Sequence, residues 1–313
     1  MQHDHILFLE PVFKERIWGG RELEKQFGYN IPEGNIGECW GISAHPNGES
    51  TVKNGTYKGK KLSELWENNR ALFGHQKGEK FPLLVKVLDA NADLSVQVHP
   101  DDEYANTYES GELGKTECWY ILDCKEGAEI IFGHTATSKA EATSLIESGL
   151  WQDFLTRRKI TPGDFFYVPS GTIHALCKGT LVLEVQQSSD TTYRLYDYDR
   201  TDDTGNRRDL HIDKSLDVMT IPHKAESTTS ETTTNGNATI TKFMQNDFFS
   251  VYKYDITDDF TLSSIDTYSL VSVISGAGQV DGTNISKGDH FIIPATCQAV
   301  TFSGSLQLIV ARP

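Results

Sequence analysis

Gly163-Asp-Phe-Phe-Tyr-Val-Pro169 and Gly288-Asp-His-Phe-Ile-Ile-Pro294 share one pattern: Gly-Asp, a short run of aromatic and β-branched residues, then proline. The run reads as a strand, the glycine as a turn residue and the proline as its end. Two β units of related geometry would account for the recurrence, with chance similarity of two β-hairpin edges as the alternative. The front copy continues Pro169-Ser-Gly-Thr-Ile-His174, giving the spacing G-x5-P-x-G-x2-H. The rear copy continues Pro294-Ala-Thr-Cys297 and has neither the second glycine nor the histidine. The structural residues recur and the potential ligand does not, so His174 is expected to do chemistry that the rear unit lacks.

Most of the surrounding sequence reads the same way, as short strands between Gly, Pro and Asn/Asp turns. Strands are expected over 81–90, 94–100, 117–124, 128–133, 164–169, 180–187, 268–276, 289–294 and 306–311. Helices are fewer. Residues 61–74 place Leu62, Leu65, Trp66 and Leu72 near one face, with Ser63 as a candidate cap. Residues 138–155 form the clearest amphipathic helix, opened by a Ser138/Glu141 capping box and interrupted at Gly149. Residues 224–241 are rich in Ser, Thr and Asn and read as a linker, or a mobile loop with an edge strand. The expected organisation is a catalytic domain over 1–223, that connecting stretch, and a β-rich domain over 242–313.

At 313 residues the chain is long enough for two domains and a sizeable core. Its 44 acidic against 29 basic residues give a net charge of −15. That field has the wrong sign for nucleic acid or an anionic membrane. A phosphorylated small molecule would need cations gathered locally. Five cysteines, at 39, 118, 124, 177 and 297, are odd in number and never spaced C-x-x-C, so neither a disulfide framework nor a cysteine-only zinc site is expected. No secretory signal pattern and no long apolar run is present, and reduced cytoplasm is the simplest compartment.

The chemistry gathers in a few strands. In Ser95-Val-Gln-Val-His99, alternation puts Gln97 and His99 on one face. Lys115, Glu117 and Trp119 share a face by the same rule. His99, Glu117 and His174 then form a two-histidine, one-carboxylate set with Gln97 as a fourth donor. Such donors suit Zn²⁺ with an open position, and equally Fe²⁺ or Mn²⁺. Taken singly, each histidine has an ordinary reading as a hydrogen-bonded strand-end residue. Lys86 is the one charge in the apolar run 81–88 and needs a partner or a wet cavity. Glu184 shares a face with Val182 and Gln186, and is either a proton-transfer group or a buried salt-bridge partner. Arg194 offers a planar fork for phosphate or a developing oxyanion, although a surface role is the default for any one arginine.

Taken together, the stretches FKERIWGGREL, GECWGISAHPNGES, FPLLVKVLDANADLSVQVHPDDEYA, GELGKTECWYIL, GDFFYVPSGTIHAL and LEVQQSSDTTYRLYDYDR resemble the type I phosphomannose isomerases, in particular their short bacterial form. The resemblance covers most of residues 10–212. It implies a mainly β, cupin (jelly-roll β-barrel) fold with a small helical insertion and a second, degenerate C-terminal cupin-like lobe. It implies one zinc ion held by Gln97, His99, Glu117 and His174, with Arg194 as the active-site arginine. Lys86, Lys115 and Glu184 are the implied polar lining. Where longer members carry a lysine a few residues after the arginine, this chain has Arg200.

The implied reaction interconverts mannose 6-phosphate and fructose 6-phosphate by proton transfer between C1 and C2 through an enediolate. Arg194, Glu184 and Lys115 are the expected catalytic residues, and Lys86 and Arg200 the expected substrate-binding cations. A metal-dependent cupin dioxygenase, a non-catalytic sugar-binding protein and a structural metal site are the competing readings.

Overall fold

The computed structural model describes residues 6–201, 205–224, 228–263 and 266–313. Over these residues the protein is mainly β, in three antiparallel sheets. A six-stranded sheet runs Phe165–Val168, Glu117–Cys124, Thr180–Gln187, Leu83–Ala90, Ile36–Ile42, Val12–Gly20. A five-stranded sheet runs Tyr193–Tyr196, Val96–Val98, His174–Leu176, Glu129–His134, Leu155–Lys159.

These two sheets face one another. Trp119, Ile121, Val168 and Val182 of the first pack with Ile130, Phe132 and Leu176 of the second. The alternate residues of the first sheet, Cys118, Tyr120, Leu183 and Val185, point the other way. They meet the helix Leu62–Asn68 and, through Leu270, Ile292 and Ile309, the rear sheet. The central strands of the six-stranded sheet, Ile36–Ile42, Leu83–Ala90 and Thr180–Gln187, are therefore buried on both faces. The few charges on the sheet's inward face stand out for that reason. Hydrogen bonding does not close the two sheets into a continuous barrel.

The rear sheet has ten strands and takes them from both ends of the chain. Leu7–Glu10 pairs with His290–Ile293, Leu7 opposite Ile292, and Thr51–Val52 adds to its other side. The N-terminal strand thereby covers an edge that the rear unit would otherwise expose. In the Ser/Thr-rich stretch, Glu231–Asn235 pairs with Ala238–Gln245 and forms the far edge of this sheet. Residues 225–227 of that stretch lie outside the described residues.

The sequence repeat is a structural one. Gly163 and Gly288 have φ of +96° and +101°, values that favour glycine. Asp164 accepts from the Thr161 backbone N–H at 2.8 Å, and Asp289 from that of Ser286 at 2.8 Å. Gly163 N–H donates to the Ile121 carbonyl (2.8 Å) and Gly288 N–H to that of Val273 (2.9 Å). The same turn thus delivers Phe165–Val168 in front and His290–Ile293 behind.

Ser138 caps the helix Lys139–Glu147, which ends before Gly149 at φ +66°. Glu141 reaches past Ser138 to the N–H and hydroxyl of Thr137, so half of the expected capping box forms. Ser63 is not a cap: Lys61 occupies that position, and the Ser63 N–H is taken by Glu49. All five cysteines are free thiols. Among the described residues, no helix is long and apolar enough to cross a membrane.

Candidate active site

A cleft of about 360 Å³ opens between the two front sheets. His174, Gln97 and Arg194 stand in register on three neighbouring strands, His174 opposite Gln97 and Gln97 opposite Arg194. From the facing sheet, Glu117, Glu184 and Lys86 stand in neighbouring strands, Lys86 opposite Glu184 and Glu117 opposite Gln186. Side chains from both sheets converge because alternation points each of these residues inward.

His99, Glu117 and His174 are buried, and their donor atoms all lie within 4.8 Å of one another. His99 Nε2 is 3.5 Å from Glu117 Oε2 and His174 Nε2 is 3.4 Å from Oε1. His99 Nδ1 meets the Thr191 carbonyl at 2.9 Å and His174 Nδ1 that of Thr172 at 2.8 Å. Those carbonyls hold the proton on Nδ1 and leave the Nε2 lone pairs on the Glu117 side, where that of His99 also accepts from the Lys115 ammonium at 3.1 Å. Burial pushes the His174 pKa down to about 4 and that of His99 well below its usual value, so both rings are neutral at pH 7. The Gln97 amide lies 3.3 Å from His174 Nε2. Both Glu117 oxygens are buried without accepting a directed hydrogen bond, though the Lys115 ammonium stands 3.2 Å from Oε2. A buried, unsatisfied carboxylate facing two neutral imidazoles fits a divalent metal ion by its donor chemistry.

Beyond this cluster the cleft is a network of paired charges. Lys86 Nζ lies 3.7 Å from Glu184 Oε1 and 3.8 Å from Glu38 Oε2. Glu38 also binds Arg16 at 2.7 Å and accepts from the Trp40 indole. Burial opposes its ionisation, but Lys86, Arg16 and Trp40 outweigh burial and hold its pKa at about 2. Glu184 accepts from the Trp119 indole at 2.9 Å. Burial and the nearby charge of Glu117 raise its pKa, against the pull of Lys115 and Lys86. Burial works against the Lys115 ammonium, but Glu117, Glu184 and Asp190 more than offset it and raise its pKa. Two carboxylates share Lys86, and their environments push them apart: Glu38 is fixed as an anion, and Glu184 is moved toward the range of a proton carrier.

The structure thus gathers Gln97, His99, Glu117, His174, Lys86, Lys115, Glu184 and Arg194 around one cleft. Arg200, which pairs with Asp197 and the Asp93 carbonyl, is not among the residues that line the cleft. Sequence reasoning missed Glu38, Arg16, Asp190 and Arg208, which all line the cleft. Glu38 carried the same signal as Lys86, a charge within an apolar strand, since Ile36–Ile42 is buried throughout.

Residues 6–127 match the family described as phosphomannose isomerase type I, catalytic domain, and residues 239–313 match mannose-6-phosphate isomerase, cupin domain. Among curated relatives, the probable mannose-6-phosphate isomerase GmuF of Bacillus subtilis is 55% identical over 99% of both chains. The mannose-6-phosphate isomerase of Streptococcus mutans is 51% identical over 98% of both. The crystal structure of the mannose 6-phosphate isomerase from Bacillus subtilis superposes with a TM-score of 0.96 at 54% identity, covering 98% of this chain and 99% of that one.

Proposed function

The chain belongs to the type I phosphomannose isomerases, and from that premise we propose that it interconverts mannose 6-phosphate and fructose 6-phosphate with a zinc ion held by Gln97, His99, Glu117 and His174. The observation that carries the metal is the Glu117 carboxylate, buried with Lys115 as its contacting cation and neither oxygen accepting a directed hydrogen bond, between two imidazoles whose Nδ1 atoms are tethered to backbone carbonyls. When bound, Zn²⁺ supplies Lewis-acid polarisation of the substrate's C1 and C2 oxygens.

The chain's own residues move the proton. Interconverting the sugars takes a proton from C2 of the open-chain aldose and delivers one to C1, through an enediolate, while the hydroxyl proton leaves O2 and one is gained at O1. Glu184 is the proton carrier. Trp119 holds its Oε2, so Oε1 is the working atom beside Lys86. The raised pKa of Glu184 makes it a stronger base than a solvated carboxylate and a usable acid on the return step. Lys115 places positive charge where the enediolate oxygens become negative. Glu38 and Trp40 keep Lys86 in place, with the ammonium 4.8 Å over the Trp40 ring.

Turnover in D₂O, followed by proton NMR, tests the proposal. Conversion of mannose 6-phosphate with deuterium entering the sugar at C1 or C2 supports proton transfer. Conversion with no deuterium at either carbon even after prolonged forward and reverse turnover contradicts the enediolate route, and no ketose product at all contradicts the isomerase.

A further inference from the structure

The cations around the cleft fall into two groups. Lys86 lies within 3.8 Å of both Glu38 and Glu184, Lys115 sits 3.2 Å from Glu117, and Arg16 binds Glu38 at 2.7 Å. Each already faces a carboxylate. The other end of the cleft differs. Arg194 has no carboxylate within ion-pair distance among the described residues; its Nη1 donates to the Asp209 carbonyl at 2.8 Å, and its buried Nε has no partner. Arg208 grips Asp197 with two bonds, Nε to Oδ2 at 2.8 Å and Nη2 to Oδ1 at 2.5 Å. The same Asp197 binds Arg200 at 2.5 Å. Arg200 and Arg208 therefore share the single charge of Asp197 and Arg194 contacts no carboxylate, so three guanidinium groups meet one negative charge by contact among the described residues.

Only two of the three reach the substrate's space. Arg194 and Arg208 line the cleft, whereas Arg200 turns its Nη1 to the Asp93 carbonyl. Two like charges on one cleft wall repel, and in a chain of net charge −15 their neighbourhood is a local exception. An anion between them removes the repulsion, and a phosphate monoester carries up to two negative charges at pH 7. The position fits as well. Arg194 lies two strands from the metal-cluster residue His174, or ~10 Å of backbone spacing, so an anion at Arg194 leaves room for a sugar chain running back to the metal cluster.

We propose that Arg208 and Arg194 bind the phosphate of the substrate, and that Arg200 orients Arg208 through their shared Asp197. The proposal rests on the isomerase reading for the identity of the sugar, not for the anion. It replaces Arg200 by Arg208 as the phosphate contact and leaves the paired Lys86 and Lys115 to the reacting end.

Steady-state kinetics on the zinc-loaded full chain test it, with inorganic phosphate as a competing ligand. Arg208→Met should raise KM for mannose 6-phosphate about thirtyfold, the loss of a charge-assisted pair, with kcat within about threefold. The inhibition constant of inorganic phosphate should rise in parallel. Arg208→Lys, a point charge without the fork, should fall between, at about fivefold. Arg200→Met should raise KM by only about threefold, through loosened positioning of Arg208. Asp197 keeps Arg200 as a partner in the Arg208 variants, so an unchanged melting temperature is expected. Unchanged KM and phosphate inhibition in both Arg208 variants, or a larger effect from Arg200→Met than from Arg208→Met, would overturn the assignment. Calorimetry with inorganic phosphate separates this claim from the isomerase reading. Arg208-dependent binding in a wild-type protein that does not turn over mannose 6-phosphate would sink the isomerase reading and keep the anion site.

Discussion

Lys86 and Glu184 are direct partners across two paired strands, with Nζ 3.7 Å from Oε1, and both side chains are almost wholly buried. A buried pair of this kind does not contribute to stability by its mere presence, because desolvation consumes most of the attraction. Its value here lies in the state it imposes on Glu184. If Glu184 carries the proton, Glu184→Gln should lower kcat about 10²- to 10⁴-fold while the protein retains its metal. Elemental analysis beside the assay checks this; near-full kcat with metal bound would remove Glu184 from the mechanism.

Removing the cation exposes the cost of the burial. Lys86→Met leaves Glu184 without its contacting ammonium, while Glu38 keeps Arg16 and Trp40. The expected loss is about 3–5 kcal/mol in urea unfolding. Lys86→Met combined with Glu184→Gln should recover at least ~1 kcal/mol of that, because the stranded charge is gone. A Lys86→Met protein as stable as wild type would show that water reaches this part of the cleft freely.

His290 of the rear lobe gives a pH prediction remote from the metal cluster. Its ring meets the Ser272 hydroxyl at 2.8 Å and the Tyr29 hydroxyl at 2.9 Å, and burial depresses its pKa from 6.5 to about 3. The folded protein holds this ring neutral while the unfolded chain protonates it below about pH 6.5. The unfolded state then binds the extra proton, so stability falls with acid from about pH 6.5 down to about 3. Against wild type, His290→Asn should show a shallower loss of stability between about pH 6 and 4, by up to ~1.4 kcal/mol per pH unit. Parallel profiles would mean that the ring takes up no proton on unfolding.

Gly171 ties together the segments that carry His99 and His174. Its N–H donates to the His99 carbonyl at 2.9 Å, and it precedes His174 in a turn at φ +83°. A methyl group there would lie 2.5 Å from Thr220 Oγ1 and 2.9 Å from the Val218 carbonyl. Gly171→Ala is expected to weaken metal binding about 10- to 100-fold, the usual effect of disturbing the groups that orient ligands. Competition with a chromogenic chelator measures it, and unchanged affinity would show that the turn can move without moving His174.

What could be read from the sequence was whatever strand periodicity enforces. Glu117–Cys124 and Thr180–Gln187 lie where expected because β-branched, aromatic and aliphatic runs suit strands packed on both faces, and strand alternation divides their residues between the cleft side and the rear core. That alternation also brought His99, Glu117, Lys86 and Glu184 to the right face. The Gly163 and Gly288 turns were legible because a positive φ leaves glycine few substitutes. The arginines were not. Which of Arg200 and Arg208 reaches the cleft depends on how their loop folds back onto Asp197, a long-range choice with no period in the sequence. The Ser63 cap failed for a related reason, since its backbone N–H is claimed by Glu49 from a distant loop.

The most direct test of the account is conversion of mannose 6-phosphate to fructose 6-phosphate by the purified protein, measured as isolated, after exhaustive chelation, and after stoichiometric Zn²⁺ is restored. Activity that disappears with the chelator and returns with one zinc per chain is the predicted result. Full activity in protein shown by elemental analysis to be metal-free, or none in the zinc-loaded protein, would contradict it.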